Sequence, residues 1–247
     1  MSRSLRVWAS TDPGCVRVRN EDALCIGEQV IQSDQRWRGS FELGIRAPML
    51  VAVIDGMGGH RGGQYASRSA ADWLATSIGG WKCSADGARE WVEQVNGHLY
   101  GQMEGRPELA AMGATLAALW FDADAGVSVN VGDARIYRES GGFLELRSDD
   151  HVLQVDGGQR LLSQALGGGV TWQSVTPSIR EEKVRAMRRY LLCSDGLTDE
   201  VAWDDLERLM ALPPEQAVES MVDAARQAGG RDNITVALVE VNEGSVE

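Results

Sequence analysis

The sequence predicts an α+β fold, and two observations carry that prediction. Its apolar runs are short and rich in Val, Leu, Ile or Ala, as buried strands are. Its elements also follow one another in groups: strands, two helices, several strands, two more helices and a last strand. Grouped succession of this kind argues against the alternating βαβ pattern of a parallel sheet. A two-sheet sandwich covered by helix pairs fits the order.

The strands expected from apolar patterning are Met49–Ile54, Thr115–Phe121, Val127–Val131, Ala134–Arg138, Tyr190–Cys193 and Ile234–Val241. Weaker patterns mark Leu5–Ala9, Ala23–Gly27 and Phe143–Leu146. Helical spacing appears over Gln64–Ile78, with Ala66, Ala70, Trp73 and Leu74, and over Ala88–Met103, with Trp91, Val92, Val95 and Leu99. A third helix is expected over Trp203–Ala211. A fourth starts at Pro213 and Pro214, runs through Ala228 and ends at Gly229 and Gly230, the usual Pro-in, Gly-out asymmetry.

At 247 residues, with 43% hydrophobic and 24% charged, the chain can bury a sizeable core and reads as one domain, 1–247. It has no internal repeat or low-complexity linker. The net charge of -12, from 36 acidic and 24 basic residues, argues against nucleic acid and anionic membranes as partners. A solvated acidic surface explains most of that excess. The four cysteines, Cys15, Cys25, Cys83 and Cys193, form no C-x-x-C pair, and with only three His there is no zinc pattern. No apolar stretch of membrane-spanning length and no apolar signal core occur, so a cytoplasmic protein with reduced thiols is expected, and a monomer.

The informative residues are aspartates at the ends of apolar runs. Val51–Ile54 runs into Asp55-Gly56, Val127–Val131 into Gly132-Asp133, and Leu191–Ser194 into Asp195-Gly196, while Asp232-Asn233 leads into Ile234–Val236. An Asp at a strand end can point its carboxylate past the rim of a sheet. Four of them converging would repel one another unless cations stood between them. Oxygen ligands without His or Cys suit Mg²⁺ or Mn²⁺. Taken singly, each pair is also an ordinary turn former, and Gly132-Asp133 alone reads equally as a hairpin turn. Asp55-Gly56 differs, because a glycine-rich stretch and a helix follow it. Arg17 and Arg19, ahead of Asp22, add guanidinium groups of the kind that bind a phosphate monoester. By itself an Arg-rich segment is more often a solvated face.

These motifs together resemble the PPM family of metal-dependent protein phosphatases (the protein phosphatase 2C type), in its compact bacterial form. The match runs in order from Thr11 to Val239. It includes Asp12-Pro13-Gly14, Arg17, Asn20-Glu21-Asp22, Asp55-Gly56-Met57-Gly58-Gly59-His60, Gly113-Ala114-Thr115, Gly132-Asp133-Ala134-Arg135, Asp150-His151, Ala165-Leu166-Gly167, Ser194-Asp195-Gly196-Leu197 and Asp232-Asn233-Ile234-Thr235. The resemblance implies a four-layer αββα sandwich, two mostly antiparallel sheets flanked by helix pairs, with the site at one end. It implies hydrolysis of phosphoserine and phosphothreonine on proteins by a water that two Mn²⁺ or Mg²⁺ ions activate. In the roles it implies, Asp55 bridges the two metals, the Gly56 carbonyl ligates one, and Asp195 and Asp232 complete the second. Asp22 orients metal-bound water and Arg17 binds the substrate phosphate. Asp133 and Asp195 hold a weaker third metal. The implied partners are Ser/Thr-phosphorylated proteins, targets of a bacterial Ser/Thr kinase. A signalling module of the same fold that binds phosphoproteins with weak catalysis is the alternative.

Three departures from the family pattern stand out. The segment Asp150–Ala165 is short for the flap that shapes substrate access, and the position expected to hold a polar third-metal ligand is Arg160. Gln29–Pro48 is long for a hairpin, carries Arg36, Trp37 and Arg38, and reads either as a partner surface or as a long loop, the loop being the reading favoured. Met57 stands where some members carry a His, which leaves His60 or a metal-bound water as the general acid.

Overall fold

The computed structural model describes residues 3–45, 48–58, 62–122, 125–155, 160–183 and 188–243. From the N-terminus come β1 (Arg3–Asp12), β2 (Asp22–Ile26), β3 (Gln29–Ile31), β4 (Trp37–Gly44) and β5 (Met49–Met57), then helices α1 (Gly62–Ser77) and α2 (Ala85–Met103). The middle of the chain is β6 (Gly113–Ala114), β7 (Leu116–Phe121), β8 (Ala125–Val131), β9 (Arg135–Ser140), β10 (Phe143–Leu146), β11 (Val152–Gln154), β12 (Arg160–Leu162), β13 (Leu166–Gly167), β14 (Ser178–Lys183) and β15 (Arg188–Cys193). The last elements are α3 (Asp195–Thr198), α4 (Trp203–Met210), α5 (Pro214–Ala228) and β16 (Ile234–Glu243).

Two antiparallel sheets form the middle layers. One is six-stranded, in the order β10-β9-β15-β16-β1-β4. The other is eight-stranded, with β13-β6-β5-β7-β8-β14 on its main path and β2 and β3 added beside β5. Three apolar clusters fix the layer order. Leu5, Val7, Val53, Leu119, Leu192 and Val239 pack between the sheets. Ala52, Ala70, Trp91, Val95 and Trp120 pack α1 and α2 onto the eight-stranded sheet. Leu191, Leu206, Met221, Val222 and Leu238 pack α4 and α5 onto the six-stranded one. The result is the αββα sandwich. A strand in such a sheet is covered on both faces, which is why β7 is apolar and buried at every position.

Local chemistry sets the helix ends. The Ser84 hydroxyl accepts from the Gly87 amide at 3.1 Å and caps α2. Pro214 opens α5 and Gly229, at φ 145, closes it.

The expected strands and helices all form, with ends shifted by a few residues. The Gln29–Pro48 segment departs from its expected loop. It contributes β3 and the eight-residue edge strand β4, which pairs with β1 from Ser4↔Gly44 to Thr11↔Trp37. Trp37, Phe41 and Leu43 alternate along β4 and pack against the inter-sheet core, a period of two that a strand requires. Arg36 and Arg38 reach α5 instead, donating to Asp223 at 2.6 Å and Glu219 at 2.5 Å. Strand β14 was not expected either, because Arg180, Glu181 and Glu182 interrupt its apolar pattern. Glu182 is nevertheless buried there, held by Arg147 at 2.8 Å and Arg138 at 3.2 Å. Among the described residues no helix is long and apolar enough to cross a membrane.

Candidate active site

Four strand ends deliver the carboxylates to one edge of the sandwich. Strands β2 and β5 are antiparallel neighbours, and their register sets Asp22 opposite Asp55. Next to it, Gly56 packs so closely on the Gly63 carbonyl that any side chain there would collide with it. The Gly56 amide donates to the Glu21 carbonyl at 3.1 Å. Asp195 is the first residue of α3, directly after β15, and Asp232 stands just before β16, the neighbour of β15 in the sheet.

Asp133 arrives by a different route. Strand β8 belongs to the eight-stranded sheet and β9 to the six-stranded one, so Gly132-Asp133 is a crossing between sheets and not a hairpin turn. The crossing requires glycine. Gly132 has φ 92, and a Cβ there would stand 2.6 Å from the Thr115 Cβ.

The carboxylates perturb one another as neighbours must. Desolvation, followed by the charges of Asp22, Asp195, Asp232 and Asp133, holds the Asp55 carboxyl well above the ordinary carboxylate range. Burial, then Asp133 and Asp232, pushes Asp195 up to about 7. Burial raises Asp22 to about 6 against the hydrogen bonds it accepts. Asp133 is also raised, by desolvation first and by Asp150 and Asp199 among its neighbours. Among the described residues Arg17 pairs with one member of this group, Asp232, and its single charge does not offset five carboxylates.

That imbalance fits divalent cations. The five side chains offer oxygen throughout, the donor type of Mg²⁺ and Mn²⁺. One carboxylate oxygen, Asp22 Oδ1, is buried with no hydrogen-bond partner, while Oδ2 accepts from the Ser194 hydroxyl at 2.8 Å. Among the described residues no three of these carboxylates close on one point as a complete cage. A Mg-type ion does not need one, because it keeps several waters and takes only one or two carboxylates.

The loop carrying Arg17 is held against this edge by Asn233. Its side-chain amide donates to the carbonyls of Pro13 at 3.0 Å and Arg19 at 2.9 Å, and its oxygen accepts from the Glu21 amide at 2.8 Å. Arg17 Nη2 thereby donates to Asp232 Oδ2 at 2.7 Å, with the side chain still 54% exposed and reachable by a ligand. Arg19 contributes its backbone. Deeper in, Asn20 donates to the Thr11 hydroxyl at 2.7 Å, and Thr11 in turn pairs with the Thr235 hydroxyl at 2.7 Å. The sequence motifs contain Asn20, Ser194 and Asn233 but assign them no role. The signal was their place beside Asp22, Asp195 and Asp232.

The structure thus gathers Asp22, Asp55, Gly56, Asp133, Asp195, Asp232 and Arg17 at one edge. His60 lies outside the described residues. Cys193, two residues before Asp195, is buried in β15 with its thiol pushed up to about 12, which excludes a thiolate nucleophile. Arg160 occupies the position expected to hold a polar third-metal ligand, and donates from Nη2 to Asp150 Oδ2 at 2.9 Å.

Known proteins are similar to this chain. The model of the family described as "Protein phosphatase 2C" matches residues 38–239. The serine/threonine protein phosphatase PstP of Mycobacterium tuberculosis is 30% identical over 254 residues, covering 96% of this chain and 45% of the relative. The chain therefore spans less than half of PstP's length. The serine/threonine phosphatase stp of Listeria innocua is 30% identical over 261 residues, covering 94% of each chain. The crystal structure of the catalytic domain of PstP, in complex with two manganese ions, superposes with a TM-score of 0.76 at 30% identity, covering 98% of this chain and 100% of that one.

Proposed function

Because the chain belongs to the protein phosphatase 2C family, we propose that it hydrolyses phosphoserine and phosphothreonine on proteins with the help of two divalent cations, Mn²⁺ or Mg²⁺. The observation that carries this reading is the mutual repulsion of Asp55 with Asp22, Asp195, Asp232 and Asp133 at an edge that Arg17 also reaches. When bound, such ions lower the pKa of water to about 7 and stabilise charge on phosphoryl oxygens, so a nucleophile exists near neutral pH.

In this reading Asp55, the Gly56 carbonyl, Asp195 and Asp232 would hold the ions. Asp133 stands beside Asp195. The unpartnered oxygen of Asp22 would accept a hydrogen bond from the attacking water and so orient it. The Ser194 hydroxyl keeps Asp22 from rotating. Arg17 shifts its guanidinium from Asp232 to the substrate phosphate, whose two oxygens match its fork. It also offsets the charge that develops during in-line displacement. His60 is the sequence's candidate for protonating the leaving serine or threonine. Substrates are Ser/Thr-phosphorylated proteins, products of a Ser/Thr kinase, and the free cysteines support a cytoplasmic location.

The test is a panel of phosphoserine, phosphothreonine and phosphotyrosine peptides with a nucleic-acid control, assayed with EDTA and after Mn²⁺ or Mg²⁺ addition. Hydrolysis should be confined to the first two peptides, vanish with EDTA and return with metal. Full activity in metal-free buffer, or preference for nucleic acid, refutes the reading.

A further inference from the structure

Strand β12 sends a cation back to the carboxylate edge. Arg160 pairs with Gln154 across the short β11–β12 hairpin. Its guanidinium donates to Asp150 Oδ2 at 2.9 Å and stands 3.5 Å from Asp199 Oδ1. The two partners differ, Asp199 being 55% exposed. Asp150 is mostly buried and already gripped by Arg135, whose Nε and Nη2 donate to it at 3.0 and 2.6 Å. Asp199 is the C-terminal cap of α3, the short helix that begins at Asp195.

These contacts put Arg160 beside Asp133. Asp150 and Asp199 act on Asp133 as like charges, and Arg160 acts on it as the opposite one. Asp195 feels Asp133 and Asp199 in the same way. Asp133, Asp150 and Asp199 therefore form a second negative group, and the chain brings a positive charge of its own, Arg160, to it. A guanidinium stays charged at all working pH values, offers five donors and has no lone pair to give a metal. It cannot ligate a cation, and it repels one. A third divalent ion on Asp133 and Asp195 would meet the positive charge of Arg160. The residues present do not fit that ion.

We propose that Arg160 takes the place of the third cation. The chain then binds two divalent ions and not three, and the two ion pairs of Arg160 fasten β12 to the end of α3. The inference rests on the two-ion reading above.

The experiment counts ions. Mn²⁺ bound at saturation is measured by equilibrium dialysis with elemental analysis on the wild-type protein, Arg160→Ala and Arg160→Gln, each checked for its fold by circular dichroism. The wild type should hold two ions. Both variants should gain a third, bound at least about tenfold more tightly than any third ion in the wild type. Adding Asp133→Asn to Arg160→Ala should remove the gained ion. A wild-type protein that takes a third ion as readily as the variants overturns the proposal, and so does a gained ion that survives Asp133→Asn. Failure of every protein to bind two ions instead overturns the two-ion reading, and this inference with it.

Discussion

Arg17 donates to Asp232 across 2.7 Å, which joins the arginine assigned to the substrate phosphate to a carboxylate assigned to a metal. The two residues lie 215 positions apart in sequence. A group held this way is oriented but not spent, since the phosphate and the metal each compete for one half of the pair. Arg17→Ala should therefore raise KM for a phosphopeptide and lower kcat/KM by about ten- to a hundredfold, the worth of a charged hydrogen bond of roughly 1.5–3 kcal/mol. Mn²⁺ affinity should hold or rise slightly, because Asp232 loses a competitor. Arg19→Ala should be much milder. Steady-state kinetics beside a Mn²⁺ titration decides it, and a crippled Arg19→Ala with a healthy Arg17→Ala would show the assignment to be wrong.

Asp55→Asn and Asp195→Asn should each reduce turnover to background while circular dichroism stays unchanged. An amide keeps the shape of the side chain and loses the charge that holds a cation. Relief of carboxylate repulsion should also make the metal-free variants melt above the metal-free parent. A folded Asp55→Asn enzyme with a near-normal rate contradicts the metal assignment.

The same repulsion predicts an unusual pH dependence for the metal-free protein. Asp22 and Asp195 carry folded-state pKa values raised to about 6 and about 7, with Asp55 raised as well. Between their ordinary unfolded values, about 4, and these raised ones, the folded state binds more protons than the unfolded state. Stability therefore falls as pH rises through that window. With EDTA present, Tm should be higher at pH 5 than at pH 8 by about 5 °C or more. Saturating Mn²⁺ should flatten or reverse the trend. Scanning calorimetry at both pH values, with and without metal, measures it, and a metal-free Tm that climbs with pH would contradict it.

Glu182 gives a stability prediction away from the site. Its buried carboxylate is shared by Arg147 and Arg138, with the Tyr190 hydroxyl 3.3 Å from it. Removing the acid leaves two largely buried guanidinium groups with only the more exposed Glu145 to share, which costs roughly 2–3 kcal/mol. Glu182→Ala should lose that much in urea unfolding while Mn²⁺ affinity of the folded protein stays the same. A loss below about 1 kcal/mol would mean that solvent already screens the network.

The sequence by itself determined the fold class, the helices, most strands and the aspartates that the fold gathers at one edge. Those are local statements: apolar period, Pro and Gly at helix ends, and an Asp where an apolar run stops. It misjudged β4, whose Trp37, Phe41 and Leu43 carry the right period but alternate with Arg38, Ser40 and Glu42. It passed over β14 because an acid such as Glu182 does not read as buried until its arginine partners, 35 and 44 residues away, are known. Tertiary structure alone decided that Gly132-Asp133 crosses between sheets, that Arg17 and not Arg19 reaches Asp232, that Asn233 holds the loop carrying both, and that Arg160 turns inward to Asp150 and Asp199. The reason is range. A residue's preference for strand, helix or turn is set by its near neighbours, whereas the partner of a charge is set by sheet register and layer packing across the whole chain.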